Sequence, residues 1–449
     1  MTTEAGLPVE QHIRQLLQHL GIRKAHFAGQ SPEDWTGLAT TNPELCASLT
    51  LVGPPVVDPN TVGRLASRLL VFNGDQGPRA EKVRRAVESL PGAHLVTLHD
   101  YSILGWTDVV ADRTDEIGSA LLQFLARTYL SAYREMALPA EGDGEVAGIS
   151  YSIRGAGPPL VLLPLGLFPS QWDPLVPRLS EQYCTITVGG SELGMVAMLE
   201  SRGRAAGYLG MLRTLLAEMP LRPGESIVEV GCGSGVLARW LAQYTRGGNR
   251  IMGVDINRYL LREATALAQK EGLEGTIEFR EGHAEALPFP DQSFNMTLSV
   301  TVMEEVDADQ MLGEMVRVTK PGGRVAAVVR ACDRPFLMNL PLRAALHRKV
   351  EDPSGWAPGA EVRGCADASL YRRFRQAGLI QVKMLPQLAA FDRSATVVLQ
   401  FLQNRLLPTL NLEEAQEWQR AQAQAEAEGT FCIAWPHHCA VGTKPGKAL

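Results

Sequence analysis

The stretch SIVEVGCGSGVLARWLA, residues 226–242, constrains the fold more than any other part of the chain. A short apolar run of strand composition leads into a turn with glycine at alternate positions, Gly231, Gly233 and Gly235, and then into an amphipathic helix. Glycines let the backbone turn tightly and come close to a ligand. The free N–H groups that open the helix point at that ligand. Cys232 sits between the first two glycines, so its backbone belongs to the same turn. RIMGVDIN, residues 250–257, reads as the next strand, with Asp255 at its C-terminal end and Ile256 just beyond. A carboxylate at that place can accept two hydrogen bonds from a ribose diol. The dinucleotide-binding spacing would need a glycine at 236, where Val236 stands; the pattern here is G-x-G-x-G, preceded by the acid Glu229.

The chain has 449 residues, more than one ordinary core can use, so two or more domains are expected. Its 45% hydrophobic and 20% charged residues are those of a soluble globular protein. A net charge of -6 without a basic block argues against nucleic acid or an anionic membrane as the main partner. No apolar run is long enough for a bilayer, and PPLVLLPLGLF reads as a buried strand, so no membrane insertion is expected. The opening MTTEAGLPVEQH lacks the basic and apolar regions of a signal peptide. Seven scattered cysteines suit free thiols in a reducing compartment, and a cytoplasmic location is expected.

Strand-like and helical runs alternate through residues 9–127: a helix over Val9 to Leu20, strands at KAHFAG, ASLTLVG, RLLVFNG and HLVTL, and helices at EDWTGLATTN, RAEKVRRAVESL and DEIGSALLQFLARTYLSAYREM. ALPAEGDGE has linker composition. Three strand-like runs follow, EVAGISYSI, PPLVLLPLG and CTITVGG, with a helix near Leu175 to Glu181. Such alternation indicates a parallel α/β layer. Leu209, Leu212, Leu216 and Met219 form a helical stripe that stops at Pro220, and a second alternation begins at Ser226. The Ala/Gln/Glu tract near Ala415 to Glu428 reads as a solvated helix face.

The segment from about 200 to 445 resembles class I S-adenosylmethionine-dependent methyltransferases. FREGHAEALPFPDQSF, MLGEMVRVTKPGGRVAAVV, CADASLYRRFRQAGLIQVKM and CAVGTKP follow the glycine loop in the order of that family's later segments. In pattern it is most similar to the small-molecule enzymes typified by the quinone-biosynthesis C-methyltransferases. The resemblance implies S-adenosylmethionine as cofactor and a small-molecule methyl acceptor. Glu229 and the glycines would hold the methionine half, Asp255 the ribose, with Cys232 and Ile256 beside them. The family usually has an aspartate where His283 stands; the imidazole, or the backbone at Ala284, would meet the adenine. Asn295 replaces another usual aspartate. Ser299 would begin the loop where acceptor meets methyl group, and Tyr208 would cap the cofactor or fill the core. Glu304 and Glu305 occupy positions where relatives carry histidines. One of them is a candidate base; the alternative is an acidic pair complementing a helix N-terminus. Helices between Met384 and Phe431 form an insertion before the last strand, suited to covering an acceptor pocket. His437, His438 and Cys439 lack a second ligand cluster, and no metal is expected.

Residues 9–127 resemble the C-terminal half of an α/β hydrolase and residues 144–190 its N-terminal half, in reversed order, as in a circular permutation. Two domains follow: 1–190, a permuted α/β-hydrolase-like sheet, and 191–449, a Rossmann-like class I methyltransferase with a helical insertion. The hydrolase elbow would centre on Ser31, in GQSPE rather than G-x-S-x-G. Pro32 lacks the N–H that would serve an oxyanion, and Glu33 adds a side chain where the turn needs none. Asp75 is offset from the usual acid, His99 is early for the base, and Ser102 stands nearest the base position. A non-catalytic domain is expected, able to dock on the second or to pair protomers in a homo-oligomer. The alternative is an active ester or thioester hydrolase, and a further one a cofactor-binding scaffold without turnover.

Overall fold

The computed structural model describes residues 9–30, 44–77, 79–103, 107–128, 139–147, 149–166, 169–189, 195–355 and 359–446. The chain divides into two compact units, Met1–Ala197 and Met198–Leu449.

Among the described residues the first unit holds one sheet of eight strands: β1 Ala25–Gly29, β2 Cys46–Val52, β3 Leu69–Gln76, β4 His94–Ser102, β5 Gly142–Val146, β6 Ile149–Arg154, β7 Pro159–Leu162 and β8 Cys184–Gly189. Their order is β4-β3-β2-β1-β7-β8-β6-β5. The two sequence segments meet at β1 and β7, which pair in parallel with Phe27 opposite Val161. The segments therefore share one sheet, and neither leaves an open edge at the join. β6 runs antiparallel to both β5 and β8. β1 and β2 are buried along their whole length, as strands covered on both faces must be. Ile13, Leu16 and Leu17 of the helix Val9–His19 join Val83 and Val87 of the helix Ala80–Glu88 in one core. Ile117, Leu121 and Phe124 of the helix Thr114–Arg127 belong to another.

Two sequence expectations change here. EVAGISYSI is a hairpin, β5 and β6, and not one strand; Ala147 enters the turn at φ 53°, which its composition does not announce. The helix expected to close near 137 is described as Thr114–Arg127, and its remainder lies outside the described residues. So does the helix expected at EDWTGLATTN.

Among its described residues the second unit contains a nine-stranded sheet: β9 Ser226–Val230, β10 Arg250–Asp255, β11 Ile277–Glu281, β12 Phe294–Val300, β13 Thr319–Arg330, β14 Leu337–Met338, β15 Ile380–Met384, β16 Gln387–Phe391 and β17 Ile433–Thr443. The order is β11-β10-β9-β12-β13-β17-β14, and β15 and β16 also pair with β17. β9 to β13 are mutually parallel and β17 is antiparallel to β13. The chain moves from β9 outward to β10 and β11, then returns to β12 on the other side of β9. That reversal opens a crevice beyond the carboxyl ends of β9 and β12, the usual ligand position in such sheets. Asn295, at the opposite end, ties the sheet together: its Oδ1 accepts from Ser226 N at 3.1 Å and Lys320 Nζ at 3.0 Å.

The insertion before β17 is β16 followed by the helices Thr396–Leu406 and Leu412–Glu428. Asn411 and Glu414 form a reciprocal capping box at the start of the second helix, and Gly429 ends it at φ 69°. The helix keeps one solvated face and buries the other. Trp418, Ala421 and Ala425 are buried with Leu402, Leu406 and Phe431 in a separate core.

Candidate functional site

Gly231, Gly233 and Gly235 have φ of 75°, 53° and 72°, the left-handed region that favours glycine. The first has a second reason to be glycine: a Cβ there would lie 2.2 Å from Cγ2 of Val302. The turn is pinned to β10. Gly231 N and Cys232 N both donate to Val254 O, at 2.7 and 2.9 Å. Gly233 N donates to Asp255 Oδ2 at 2.8 Å, and Asn257 N to Oδ1 at 2.9 Å. Each Asp255 oxygen keeps a further acceptor position. Loss of water raises the Asp255 pKa, and the backbone donors oppose that. Ile256 is 53% exposed beside it, an apolar side chain at the mouth of the site.

Glu229 lies in β9 opposite Gly253 and Leu298, is 2% exposed, and has no hydrogen-bond partner for Oε2 among the described residues. Burial first, then the charge of Asp255, pushes its pKa up to about 8. Cys232 is buried, and burial raises its thiol well above its ordinary pKa, so it takes part as backbone and packing.

Above these strand tips a second group converges. Tyr208, on the helix Ala206–Ala217, is 1% exposed, and its hydroxyl is buried without a well-formed hydrogen bond, although Thr301 lies beside it. The Arg202 guanidinium stacks on the Tyr208 ring, 5.3 Å from its centroid, and donates to Thr301 Oγ1 at 3.3 Å. Thr301 itself has φ 57°, a strained conformation for a β-branched residue. His437 on β17 meets the Tyr208 ring edge-on with centroids 6.0 Å apart.

The protonation state of His437 follows from its contacts. Its Nδ1 lies 3.0 Å from Trp435 O, and a carbonyl only accepts, so Nδ1 carries the ring proton. Nε2 then presents a lone pair. Burial, with Arg202 and Arg330 nearby, lowers its pKa to about 3. The folded value lies below the ordinary 6.5, so the fold loses stability as pH falls from 6.5 toward 3. In a 15N NMR titration His437 is expected to stay neutral, protonated at Nδ1, down to pH ~4. Titration near its ordinary value would contradict this environment.

Sequence reading missed the support behind the loop. Arg239 is 2% exposed, donates through Nη1 to Ser234 O at 2.7 Å, and pairs with Glu200 at 2.5 Å and Glu271 at 3.0 Å. Glu200 also accepts from Ser234 Oγ at 2.6 Å. Glu200 comes from the helix Met195–Arg204, whose Leu199 and Gly203 pack on the turn beside Gly233 and Val236.

Other candidates are placed differently from expectation. Ser299 does not begin the loop; it lies inside β12, and its hydroxyl donates to Val230 O at 2.9 Å. Glu304 and Glu305 are not an acidic pair at a helix N-terminus, because Asp307 caps the helix Ala308–Val318. Glu304 is buried and its Oε1 accepts from Arg330 N at 2.6 Å and Nε at 3.3 Å, while burial raises its pKa. Glu305 is exposed, near Arg330 at 3.8 Å. His283 is exposed and Ala284 half-buried in the turn after β11, which Gly282 N ties to Asp255 O at 3.0 Å. His437 and His438 point to opposite faces of β17; His438 Nε2 donates to Asp333 at 2.7 Å. Among the described residues no group of three or more His, Cys, Asp or Glu is arranged to hold a metal ion.

In the first unit Ser31, Pro32 and Glu33 lie outside the described residues. Asp75 and His99 lie 3.2 Å apart at the ends of β3 and β4, and Ser102 lies against Gly77. The seven cysteines are free thiols. No helix among the described residues is long and apolar enough to cross a membrane.

Residues 228–327 match the family described as "Methyltransferase domain". Methyltransferase GfsG of Streptomyces halstedii is 36% identical over 117 residues, 26% of this chain and 41% of that protein. The ubiquinone/menaquinone biosynthesis C-methyltransferase UbiE of Legionella pneumophila is 36% identical over 106 residues, 23% of this chain and 42% of its own. An uncharacterized protein of Mycobacterium tuberculosis is 28% identical over 201 residues, 44% and 69% of the two chains. The chain thus spans less than half the length of the first two relatives. The crystal structure of YcgJ from Bacillus subtilis superimposes with a TM-score of 0.37 at 17% identity, over 53% of this chain and 99% of that one. The second unit carries a methyltransferase domain, and the cofactor of that domain is S-adenosylmethionine.

Proposed function

We propose that this protein methylates a small-molecule acceptor, with S-adenosylmethionine bound across the tips of β9 and β10. The observation that carries this reading is Asp255, whose two oxygens are fixed by the Gly233 and Asn257 N–H groups and remain open to a ribose diol. The residues fit the group in other respects. The unpartnered Glu229 Oε2 suits an α-ammonium, the positive-φ glycines leave room for close approach, and exposed Ile256 with the His283–Ala284 turn suits the flat face of adenine. When bound, S-adenosylmethionine supplies a methyl group already activated by its sulfonium. The chain's own task is alignment and exclusion of water, worth roughly 7–11 kcal/mol of barrier in well-oriented reactions. Small-molecule acceptors are supported by the relatives, which include a sterol 24-C-methyltransferase of Gibberella zeae and the quinone-pathway enzymes.

Residues 191–449 would form this enzyme and residues 1–190 a permuted, non-catalytic α/β-hydrolase-like domain. The pairing of β1 with β7 supports the permutation, since it joins the two reversed segments in one sheet.

Proton counting tests the reading. Without ligand, Glu229, its pKa pushed up to about 8, is mostly protonated at pH 7. An α-ammonium favours the carboxylate, so S-adenosylhomocysteine is expected to release a proton from Glu229 on binding. Calorimetry at pH 7 in two buffers of different ionisation enthalpy measures this, and Glu229→Gln should abolish it. Binding without proton release would remove Glu229 from the ammonium site. The same shift makes the ligand-free fold less stable as pH rises from 4.5 toward about 8.

A further inference from the structure

β13 and β17 run past the strand tips proposed to hold the cofactor. β12 ends with Val300 opposite Val328, whereas β13 continues to Arg330, and His437 of β17 lies opposite Arg330. His437 therefore stands beyond the carboxyl ends of the parallel strands, on the side of the sheet away from β10. Side chains alternate along a strand, so Trp435 shares its face. Rings gather around the two. The Tyr208 ring meets His437 edge-on at 6.0 Å, and Phe391 of β16 and Phe336 lie 5.0 and 5.9 Å from the Trp435 ring. Trp435 and Phe336 are half-buried, while His437 and Tyr208 are 2% and 1% exposed. The row of rings closes inward and ends on a polar side chain, as small-molecule sites do: apolar walls with a few placed polar atoms.

What His437 can recognise follows from its tautomer and its charge. Nδ1 donates to Trp435 O, so Nε2 offers a lone pair and no proton. Burial, and then the charges of Arg202, Arg330 and His438, keep the imidazole neutral at pH 7. The other titratable groups about it are the Tyr208 phenol and, through Arg330, Glu304. A neutral Nε2 accepts a hydrogen bond. A carboxylate or phenolate has no proton to donate to it, and an ammonium would meet the same cations that oppose an imidazolium. A neutral hydroxyl on an apolar body satisfies both conditions.

We infer that His437 selects the methyl acceptor, its Nε2 accepting a hydrogen bond from the hydroxyl of a flat, apolar molecule that lies against Trp435 and Phe336. This rests on the S-adenosylmethionine reading and adds the acceptor's chemical class, a neutral phenol-type compound. The residue lies outside the segment matched by the methyltransferase family, 228–327, on the last strand of the sheet. It also differs from the sequence expectation, which looked for acceptor chemistry at Glu304 and Glu305; Arg330 engages both of those carboxylates.

The test uses the full-length chain saturated with S-adenosylhomocysteine and two probes, 1-naphthol and 1-methoxynaphthalene. The ether keeps the rings and the oxygen and loses only the donated hydrogen. Calorimetry should show 1-naphthol binding roughly 10- to 100-fold more tightly, the effect of leaving one buried acceptor unsatisfied. His437→Phe should bind the two probes equally, and His437→Gln, whose carbonyl can accept, should recover part of the preference. Trp435→Ala should weaken both probes together. Circular dichroism confirms that each variant is folded. A measurement on the unaltered chain stands beside these: the 15N resonance of His437 Nε2 should move toward its hydrogen-bonded range with 1-naphthol and not with the ether. Failure to bind 1-naphthol, equal binding of the pair, or a preference that survives His437→Phe overturns the inference and leaves the cofactor reading standing. Absence of S-adenosylhomocysteine binding overturns both.

Discussion

Asp255→Ala is expected to weaken S-adenosylhomocysteine binding by roughly 100- to 10,000-fold. Two hydrogen bonds from a ribose to an ionised carboxylate contribute about 1.5–3 kcal/mol each, and about 1.4 kcal/mol is a factor of ten. The carboxylate acts twice, since it also accepts from Gly233 and Asn257 and so fixes the turn that faces the ligand. Asp255→Asn separates the two effects. One amide oxygen can still accept from the backbone, while the NH2 group replaces an acceptor by a donor; an intermediate loss is expected. Calorimetric dissociation constants and a thermal melt of each variant provide the check. A change smaller than tenfold in Asp255→Ala would contradict the assigned ribose site.

Gly231→Ala is expected to destabilise the second unit by about 2–5 kcal/mol. The left-handed conformation at φ 75° contributes about 1–2 kcal/mol for an alanine, and forcing a methyl group 2.2 Å from Val302 Cγ2 adds about 1–3 kcal/mol. Gly233→Ala is the control. Its φ of 53° carries the same conformational term, but its nearest neighbour, Leu199 Cδ1, is 3.3 Å from the added carbon. It should lose only about 1–2 kcal/mol. Denaturant unfolding curves resolve that difference, and Val302→Ala should restore part of the stability of Gly231→Ala by removing the clash. Equal losses at the two glycines would mean that Val302 does not set the requirement.

Local features of the site were legible in the sequence because they are written in consecutive residues. Glycines at 231, 233 and 235 after an apolar run, and an aspartate at the end of the next one, need no tertiary knowledge. The joining of residues 9–127 with 144–190 was legible from their resemblance to the two halves of an α/β hydrolase in reversed order, and the parallel pairing of β1 with β7 places them in one sheet. Features set by distant partners were not legible. Arg239 occupies an ordinary position on an amphipathic helix, and only Glu200 and Glu271, 39 and 32 residues away, explain its burial. Glu304 was readable as a base or a dipole partner because its actual partner, Arg330, lies 26 residues on. His437 was set aside together with His438 as ligating types without a second cluster; the strand alternation that parts them, and the Tyr208 ring that His437 meets, appear only once β17 is assigned. Arg202 carried no signal at all, since an unpaired guanidinium is defined by its surroundings.

The claim on which the rest depends is the position of the cofactor, and a crystal structure of the chain soaked with S-adenosylhomocysteine tests it most directly. Both ribose hydroxyls should lie within about 3 Å of the Asp255 carboxylate oxygens, with the amino-acid end over Gly231. Density for the ligand away from the tips of β9 and β10, or none at saturating concentration, would contradict it.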